Sequence, residues 1–140
     1  LITGSASKTS KELRDLGSRY PNLEHLHDCP EMADQLCRAG LALAAPGSSI
    51  YELVACGVPA VLLICADNQR LSAAAHQAVG WCHVFDARQQ NQLALALSQT
   101  LQLWKDPKTR NLMQERTVGL VDVAGADRIA QEIVDLTGVV

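Results

Sequence analysis

The chain has 140 residues, of which 48% are hydrophobic and 19% are charged. This composition excludes an intrinsically disordered segment and fits a single domain with a sizeable core. The formal net charge of −3 and the scattered Lys and Arg residues give no basic stripe, so nucleic-acid binding has little electrostatic support. No apolar run reaches the ~20 residues that a membrane-spanning helix requires.

The predicted elements alternate between strands and helices along the chain. Short apolar or alternating runs predict strands at residues 1–4, 23–27, 41–45, 60–65 and 81–85. Capping signals and apolar periodicity predict helices that begin near residues 9, 28, 49, 72, 86, 106 and 126. This order predicts the α/β class, with a Rossmann-like parallel sheet of about five strands flanked by helices.

Several helix boundaries carry recognisable signals. A capping Ser, Thr or Asp with Glu or Gln three residues later predicts the starts, and glycine in the left-handed conformation predicts the stops. The predicted capping pairs are Thr9 with Glu12, Asp28 with Glu31, Ser49 with Glu52 and Asp86 with Gln89, while Asp106-Pro107 starts a further helix. The predicted stops are Gly40, Gly57, Gly80 and Gly138.

The apolar periodicity also predicts which helix faces are buried. The residues expected in the core are Met32, Leu36 and Cys37 in the second helix, Leu93, Leu97, Leu101 and Trp104 in the fifth, and Ile129, Ile133 and Leu136 in the last. The strand at residues 41–45 is wholly apolar and is expected to be buried on both faces.

The five cysteines, at positions 29, 37, 56, 65 and 82, include no Cys-x-x-Cys pair. Cys37, Cys56 and Cys65 lie in apolar runs, where cysteine acts as a small hydrophobe. We therefore predict free thiols and a cytoplasmic location. The four histidines show no metal-ligand spacing, and neither a metal nor a cofactor is expected.

The strongest candidate for a binding site is the turn Gly47-Ser48-Ser49, directly after the third predicted strand. Glycine permits close approach of a ligand, and the hydroxyl and amide groups at a helix start can hold a phosphate without Lys or Arg. Glu52, one turn inside the helix, is placed to accept hydrogen bonds from ribose hydroxyls. The alternative is structural: Ser49 and Glu52 form only a capping box.

A second polar cluster, Asp67-Asn68-Gln69-Arg70, follows the next strand. Because both loops leave the carboxyl ends of parallel strands, we expect them at the same edge of the sheet, where such sheets bind ligands. An ordinary solvated loop would explain the cluster equally well. His27, at the carboxyl end of another strand, is expected only to line the rim. No nucleophile–base arrangement is evident.

These motifs resemble a known family. The run from Ala45 to Leu53, with Gly57-Val58-Pro59 and residues 66–69, resembles the C-terminal half of the UDP-sugar hydrolases of pseudaminic acid biosynthesis, the UDP-diacetamido-trideoxy-altropyranose hydrolase family. Its members carry Gly-Gly-Ser-Thr or Ser, two residues, Glu, then Gly-Ile or Leu-Pro, then Asp or Glu-Asn-Gln. Residues 1–36 and 122–128 also resemble that family. Pro46 stands where the family has the first glycine of its pair.

The resemblance implies the C-terminal half of a glycosyltransferase-B fold that holds the UDP of a nucleotide sugar. It also implies a role for eight residues: Gly47, Ser48 and Ser49 would hold the diphosphate, Glu52 the ribose, Asn68 and Gln69 the diphosphate or sugar, and Cys29 and Met32 would flank the uracil. The segment from Cys29 to Glu31 departs from the family's usual residues.

The resemblance further implies that the acid–base histidine belongs to an N-terminal domain that this chain lacks, along with the first strand and helix of this half. The chain would then bind UDP or a UDP-sugar without turning it over. The complete bacterial protein would hydrolyse a UDP-linked diamino-trideoxy sugar for surface polysaccharide or flagellar glycans. Two alternatives remain: a UDP-sugar-dependent glycosyltransferase, and a non-catalytic α/β binding or assembly module. The Asp-Asn-Gln run favours the hydrolase, since the related cell-wall transferase usually carries Asp-Arg-Gln-Gln.

Overall fold

The computed structural model describes residues 1–5, 7 and 11–138. These residues form five strands and seven helices, and the predicted α/β class with parallel strands is confirmed. The strands form two parallel sheets, of two and three strands, rather than one. The chain divides into two compact units, Leu1–Gln35 and Leu36–Val140.

The first unit contains β1 (Ile2–Thr3), α1 (Lys11–Arg19) and β2 (Leu26–His27). The two strands pair in parallel, with Ile2 opposite Leu26 and Thr3 opposite His27. Strands are therefore found where they were predicted, although β2 is shorter than residues 23–27. The predicted capping box of Thr9 with Glu12 involves side chains outside the described part of the chain.

The next helix, α2 (Met32–Cys37), begins four residues later than predicted. Asp28, the expected N-cap, has a left-handed backbone with φ of 51°, whereas a capping residue usually has an extended backbone. Met32 and Leu36 are half-buried and Cys37 is exposed. The predicted burial of this helix was therefore too deep, because a helix of six residues presents less than two turns to the core.

The second unit is built on the sheet formed by β3 (Ala42–Ala44), β4 (Ala60–Ile64) and β5 (Cys82–Asp86), with β4 in the centre. Successive residues of β4 point to opposite faces. Ala60 and Leu62 belong to a core with α3 (Ser49–Ala55), while Val61 packs with the helices that follow β5. Burial on both faces explains why β4 is apolar throughout.

The prediction that residues 41–45 form a strand buried on both faces was wrong in its burial. β3 lies at an edge of the three-stranded sheet, and Leu43 is 40% exposed. An edge strand lacks a neighbour on one side, so a short apolar run alone does not indicate a central strand.

Glycine ends two helices of this unit as predicted. Gly57 has φ of 67°, its N–H bonds to the carbonyl of Val54, and the next N–H, of Val58, bonds to that of Leu53. This pair of bonds is the Schellman arrangement. Gly80, with φ of 87°, ends α4 (Arg70–Val79) in the same left-handed conformation.

The C-terminal part contains α5 (Gln92–Lys105), α6 (Pro107–Glu115) and α7 (Gly125–Thr137). Asp106 caps α6 as predicted, since its carboxylate accepts bonds from the Thr109 N–H at 3.1 Å and hydroxyl at 2.6 Å. Gly138, with φ of 64°, ends α7 as predicted.

The predicted apolar faces of α5 and α7 were wrong. The residues of α5 that are buried are Ala96 and Leu103, because the small Ala96 lets the helix pack closely against Val61. The predicted stripe on α5 is 47–62% exposed, and the predicted face of α7 is 55–83% exposed. The residues concerned are Leu93, Leu97, Leu101 and Trp104 on α5, and Ile129, Ile133 and Leu136 on α7.

Cys37 and Cys56 form a disulfide, with their Cα atoms 4.8 Å apart. The prediction of free thiols was therefore wrong for these two residues, although Cys29, Cys65 and Cys82 are free. The disulfide closes a loop that contains β3, the turn after it and α3. Among the described residues, no helix is long and apolar enough to cross a membrane.

Candidate functional site

Three connections leave the same edge of the three-stranded sheet, which we call the carboxyl edge. They are residues 45–48 after β3, 65–69 after β4 and 87–91 after β5. In the parallel register, Ala44 lies opposite Leu62 and Leu62 opposite Val84. Because neighbouring strands are about 4.8 Å apart, the first and third connections begin roughly 10 Å apart. The sequence-predicted loops after β3 and β4 are therefore brought together, as expected.

The turn after β3 leaves two backbone donors without acceptors. The N–H of Gly47 bonds to the carbonyl of Ala45, and the N–H groups of Ile50 and Tyr51 bond to the carbonyls three residues before them. Within the described chain, the N–H groups of Ser48 and Ser49 have no such partner. Both amides precede the first hydrogen-bonded turn of α3, so they point away from the helix body.

The serine hydroxyls do not cap the helix. Ser48, not Ser49, is the N-cap, and its backbone is already helical, with φ of −58° and ψ of −26°. A capping side chain needs an extended backbone to reach the N–H groups of the first turn, and no side-chain capping bond is present. The predicted capping box of Ser49 with Glu52 was therefore wrong. Glu52 lies exposed in the first turn of α3.

Gly47 is not required by the protein's own packing. A Cβ built on it would meet no heavy atom within 4 Å, and its φ is not among the positive values found at other glycines. Neither backbone conformation nor space inside the protein explains this glycine. What it does provide is room on the outer side of the turn.

In the loop after β4, one predicted ligand residue has a structural role. The Gln69 side-chain oxygen accepts hydrogen bonds from the N–H groups of Cys65 at 2.8 Å and Ala66 at 3.2 Å. These bonds close the single 3₁₀ turn Asp67–Gln69 and leave the Gln69 NH₂ group as the remaining donor. Asn68, the middle residue of this turn, is exposed.

Arg88, after β5, is a residue that the sequence analysis missed. Its Nε and one terminal nitrogen donate to the two oxygens of Asp86, each at 2.8 Å, and its other terminal nitrogen donates to Asp67 at 2.8 Å. Arg88 therefore joins the loops that follow β4 and β5. The signal was present in the sequence, because Arg88 comes two residues after a strand end. It was overlooked because Asp86 was taken as a helix cap, whereas α5 begins at Gln92.

The cluster keeps its charges over a wide pH range. Hydrogen bonding to Arg88 lowers the pKa of Asp86 from 3.8 to about 2, and the same guanidinium lowers the pKa of Asp67. In return, the two carboxylates raise the pKa of Arg88. Arg70 lies 3.9 Å from Asp67, so the four charges balance.

A separate cleft of about 390 Å³ lies beside α3 and the start of α7. It is lined by Tyr51, by the segment 119–123, and by Gly125 and Arg128. Arg128 forms an ion pair with Asp122. No residue predicted to bind a ligand lines this cleft.

Cys29 and Met32, the residues expected near a uracil, belong to the first unit, and both are half-buried. His27 is engaged within that unit: the Thr3 hydroxyl lies 3.1 Å from its Nδ1 and 2.8 Å from Nε2 of His25.

Comparison with known proteins gives no match, either to a protein-family model or to a curated relative. Among the described residues, no group of three His, Cys, Asp or Glu side chains could hold a metal ion.

Proposed function

We propose that this chain is the UDP-binding half of a nucleotide-sugar hydrolase. The observation that supports the proposal is the pair of unpartnered amides, Ser48 and Ser49, beside two hydroxyls that cap nothing. They lie at the carboxyl edge of a parallel sheet, where α/β proteins bind nucleotides. Neutral donors of this kind bind phosphate without a basic side chain.

In this proposal the ligand is held by groups that the fold leaves available. Gly47 provides room for the diphosphate, which accepts hydrogen bonds from the amides and hydroxyls of Ser48 and Ser49. Glu52 accepts hydrogen bonds from the ribose, and its exposed position leaves the carboxylate available. Asn68 and the NH₂ group of Gln69 donate to the diphosphate or sugar.

In this proposal the acid–base residue belongs to another part of the complete protein, as the family resemblance implies. The complete enzyme would direct water at the anomeric carbon of a UDP-linked diamino-trideoxy sugar and release UDP, while the isolated chain binds only. Asp67-Asn68-Gln69 favours this hydrolase over the glycosyltransferase alternative. The proposed location is the cytoplasm. The Cys37–Cys56 disulfide favours an oxidising compartment instead, because such bonds are rare in reducing ones.

The direct test is a titration of the chain with UDP, followed by the amide signals of residues 47–52. We expect these signals to shift at lower UDP concentration than those of residues 119–123, which line the separate cleft. If UDP leaves the signals of residues 47–52 unchanged, the chain is better explained as a non-catalytic binding or assembly module.

A Glu52→Ala substitution tests the ribose contact. Because Glu52 forms no capping box, the substitution should not disturb the helix start. It should weaken UDP binding about 10-fold, the effect of losing one charge-assisted hydrogen bond to the ribose. Binding of an analogue without ribose hydroxyls should hardly change. Glu132→Ala, at an exposed glutamate of α7, is the matched control. Equal losses for both ligands would contradict the assigned role.

A further inference from the structure

We propose that Arg88 is a further ligand for the diphosphate, and that it binds by exchanging the carboxylate of Asp67 for a phosphate oxygen. This inference rests on the proposed UDP site and extends it to the loop after β5. It assigns a binding role to a residue that neither the motifs nor the resemblance indicated.

The two carboxylates hold Arg88 in unequal ways. Asp86 binds it through both oxygens, at 2.8 Å each, and a bidentate pair fixes the plane of the guanidinium. Asp67 takes a single N–H from the other terminal nitrogen. Loss of the Asp67 contact would therefore leave the guanidinium oriented and one nitrogen free to donate.

Solvent exposure also distinguishes the two carboxylates that bind Arg88. The Asp86 side chain is 12% exposed, that of Arg88 is 34% exposed and that of Asp67 is 85% exposed. An ion pair with one partner in water contributes little to stability. Asp67 is therefore the exchangeable partner, and Asp86 is the anchor.

Arg70 gives the displaced carboxylate a second partner. Its guanidinium already lies 3.9 Å from Asp67, so the carboxylate would not be left without a counter-charge when Arg88 turns to a phosphate. The exchange conserves the number of ion pairs while adding a planar donor suited to phosphate oxygens.

Arg88 belongs to the connection after β5, so it lies at the same edge of the sheet as the turn after β3. The loops after β3 and β5 begin roughly 10 Å apart across β4, a span that a diphosphate with one hydrogen-bonded donor at each end can bridge. The Ser48 and Ser49 amides would bind one phosphate and Arg88 the other. Arg88 would add a positive charge to these neutral donors, and charge-assisted hydrogen bonds to phosphate are the stronger ones.

The test measures UDP affinity for three variants at one fixed, low ionic strength. Asp67→Asn removes the competing carboxylate and should strengthen UDP binding about 3- to 10-fold, because a like charge near the phosphate is lost. Arg88→Ala should weaken UDP binding at least 10-fold and leave uridine, which has no phosphate, unaffected. Asp122→Asn removes another exposed, arginine-paired carboxylate, which lies outside the three connections of the carboxyl edge, and should leave the UDP affinity unchanged.

The outcomes separate this inference from the proposed function. If UDP binds and shifts residues 47–52, but Asp67→Asn and Arg88→Ala bind it like the unsubstituted chain, the role of Arg88 is overturned and the site stands. If neither UDP nor inorganic pyrophosphate binds the unsubstituted chain, both fail. Arg88→Lys, which keeps the charge but not the fork, should recover only part of the affinity and guards against misfolding of Arg88→Ala.

Discussion

The two sides of the carboxyl edge differ in how completely their polar groups are paired. After β3, two amides and two hydroxyls have no partner among the described residues. After β4 and β5, Asp67, Arg88 and Asp86 satisfy one another, and Gln69 closes its own loop. A polar group without a partner is costly when buried and available when exposed. The unpaired side therefore offers free donors to a ligand at once, whereas the paired side offers Arg88 only when the Asp67 carboxylate is displaced.

Breaking the disulfide should have the largest effect on this contrast, because it closes the loop that carries the unpaired side. Cys37 and Cys56 are 19 residues apart, and a loop of that size corresponds to about 3 kcal/mol of stabilisation. The double substitution Cys37→Ser and Cys56→Ser should lower the free energy of unfolding by this amount in a urea titration. Adding reductant to the unsubstituted chain should lower its free energy of unfolding by the same amount. Cys65→Ser, at an unpaired thiol, is the control.

Two glycine substitutions separate structural from functional need. Gly80→Ala should cost about 1–2 kcal/mol, because a residue with a Cβ is strained in the left-handed region and here the new Cβ would also collide with the Arg116 guanidinium. Gly47→Ala should change stability by less than about 0.5 kcal/mol while weakening UDP binding. Thermal unfolding of both variants checks the expected changes in stability, and a UDP titration of Gly47→Ala checks the expected loss of binding. A large loss of stability in Gly47→Ala would mean that the turn itself requires glycine.

The smallest expected effect is the pH dependence of stability that comes from the ion pair of Asp86 with Arg88. A carboxyl group whose pKa is lowered on folding stabilises the protein above its unfolded pKa and loses that effect as the pH falls through its folded pKa. For Asp86 this window runs from about 4 to about 2, as its pKa falls from 3.8 to about 2 on folding. Asp86→Asn should therefore unfold at a lower temperature than the unsubstituted chain at pH 7. The two melting temperatures should converge below pH 4, and a constant difference would contradict the ion pair.

Local signals in the sequence were enough to locate most elements. The runs at residues 60–65 and 81–85 coincide with β4 and β5 within one residue, and Gly57, Gly80 and Asp106 mark helix ends as predicted. Each of these signals depends on backbone conformation or capping within a few residues. The carboxyl edge followed from the same local information, because parallel strands joined by a helix must end on the same side.

Local sequence signals could not predict which side chains are buried or which distant residues are in contact. Leu97 and Ala96 are neighbours on α5, yet the alanine is buried and the leucine is exposed, because adjacent residues of a helix point about 100° apart and Ala96 shares its buried face with Leu103. The Cys37–Cys56 bond and the contact of Arg88 with Asp67 join residues 19 and 21 positions apart. Such contacts depend on the folded path of the chain rather than on residue type.

The disulfide also has a consequence for proteolysis. Arg38 is the single basic residue between Cys37 and Cys56, so a trypsin cut after it leaves the two pieces covalently joined. A complete digest without reductant should therefore contain residues 20–38 linked to residues 39–70, and added reductant should separate them. The turn that carries Gly47 lies within the second of these peptides, so even a nicked chain would keep the proposed phosphate site tethered to the strand and loop on its N-terminal side.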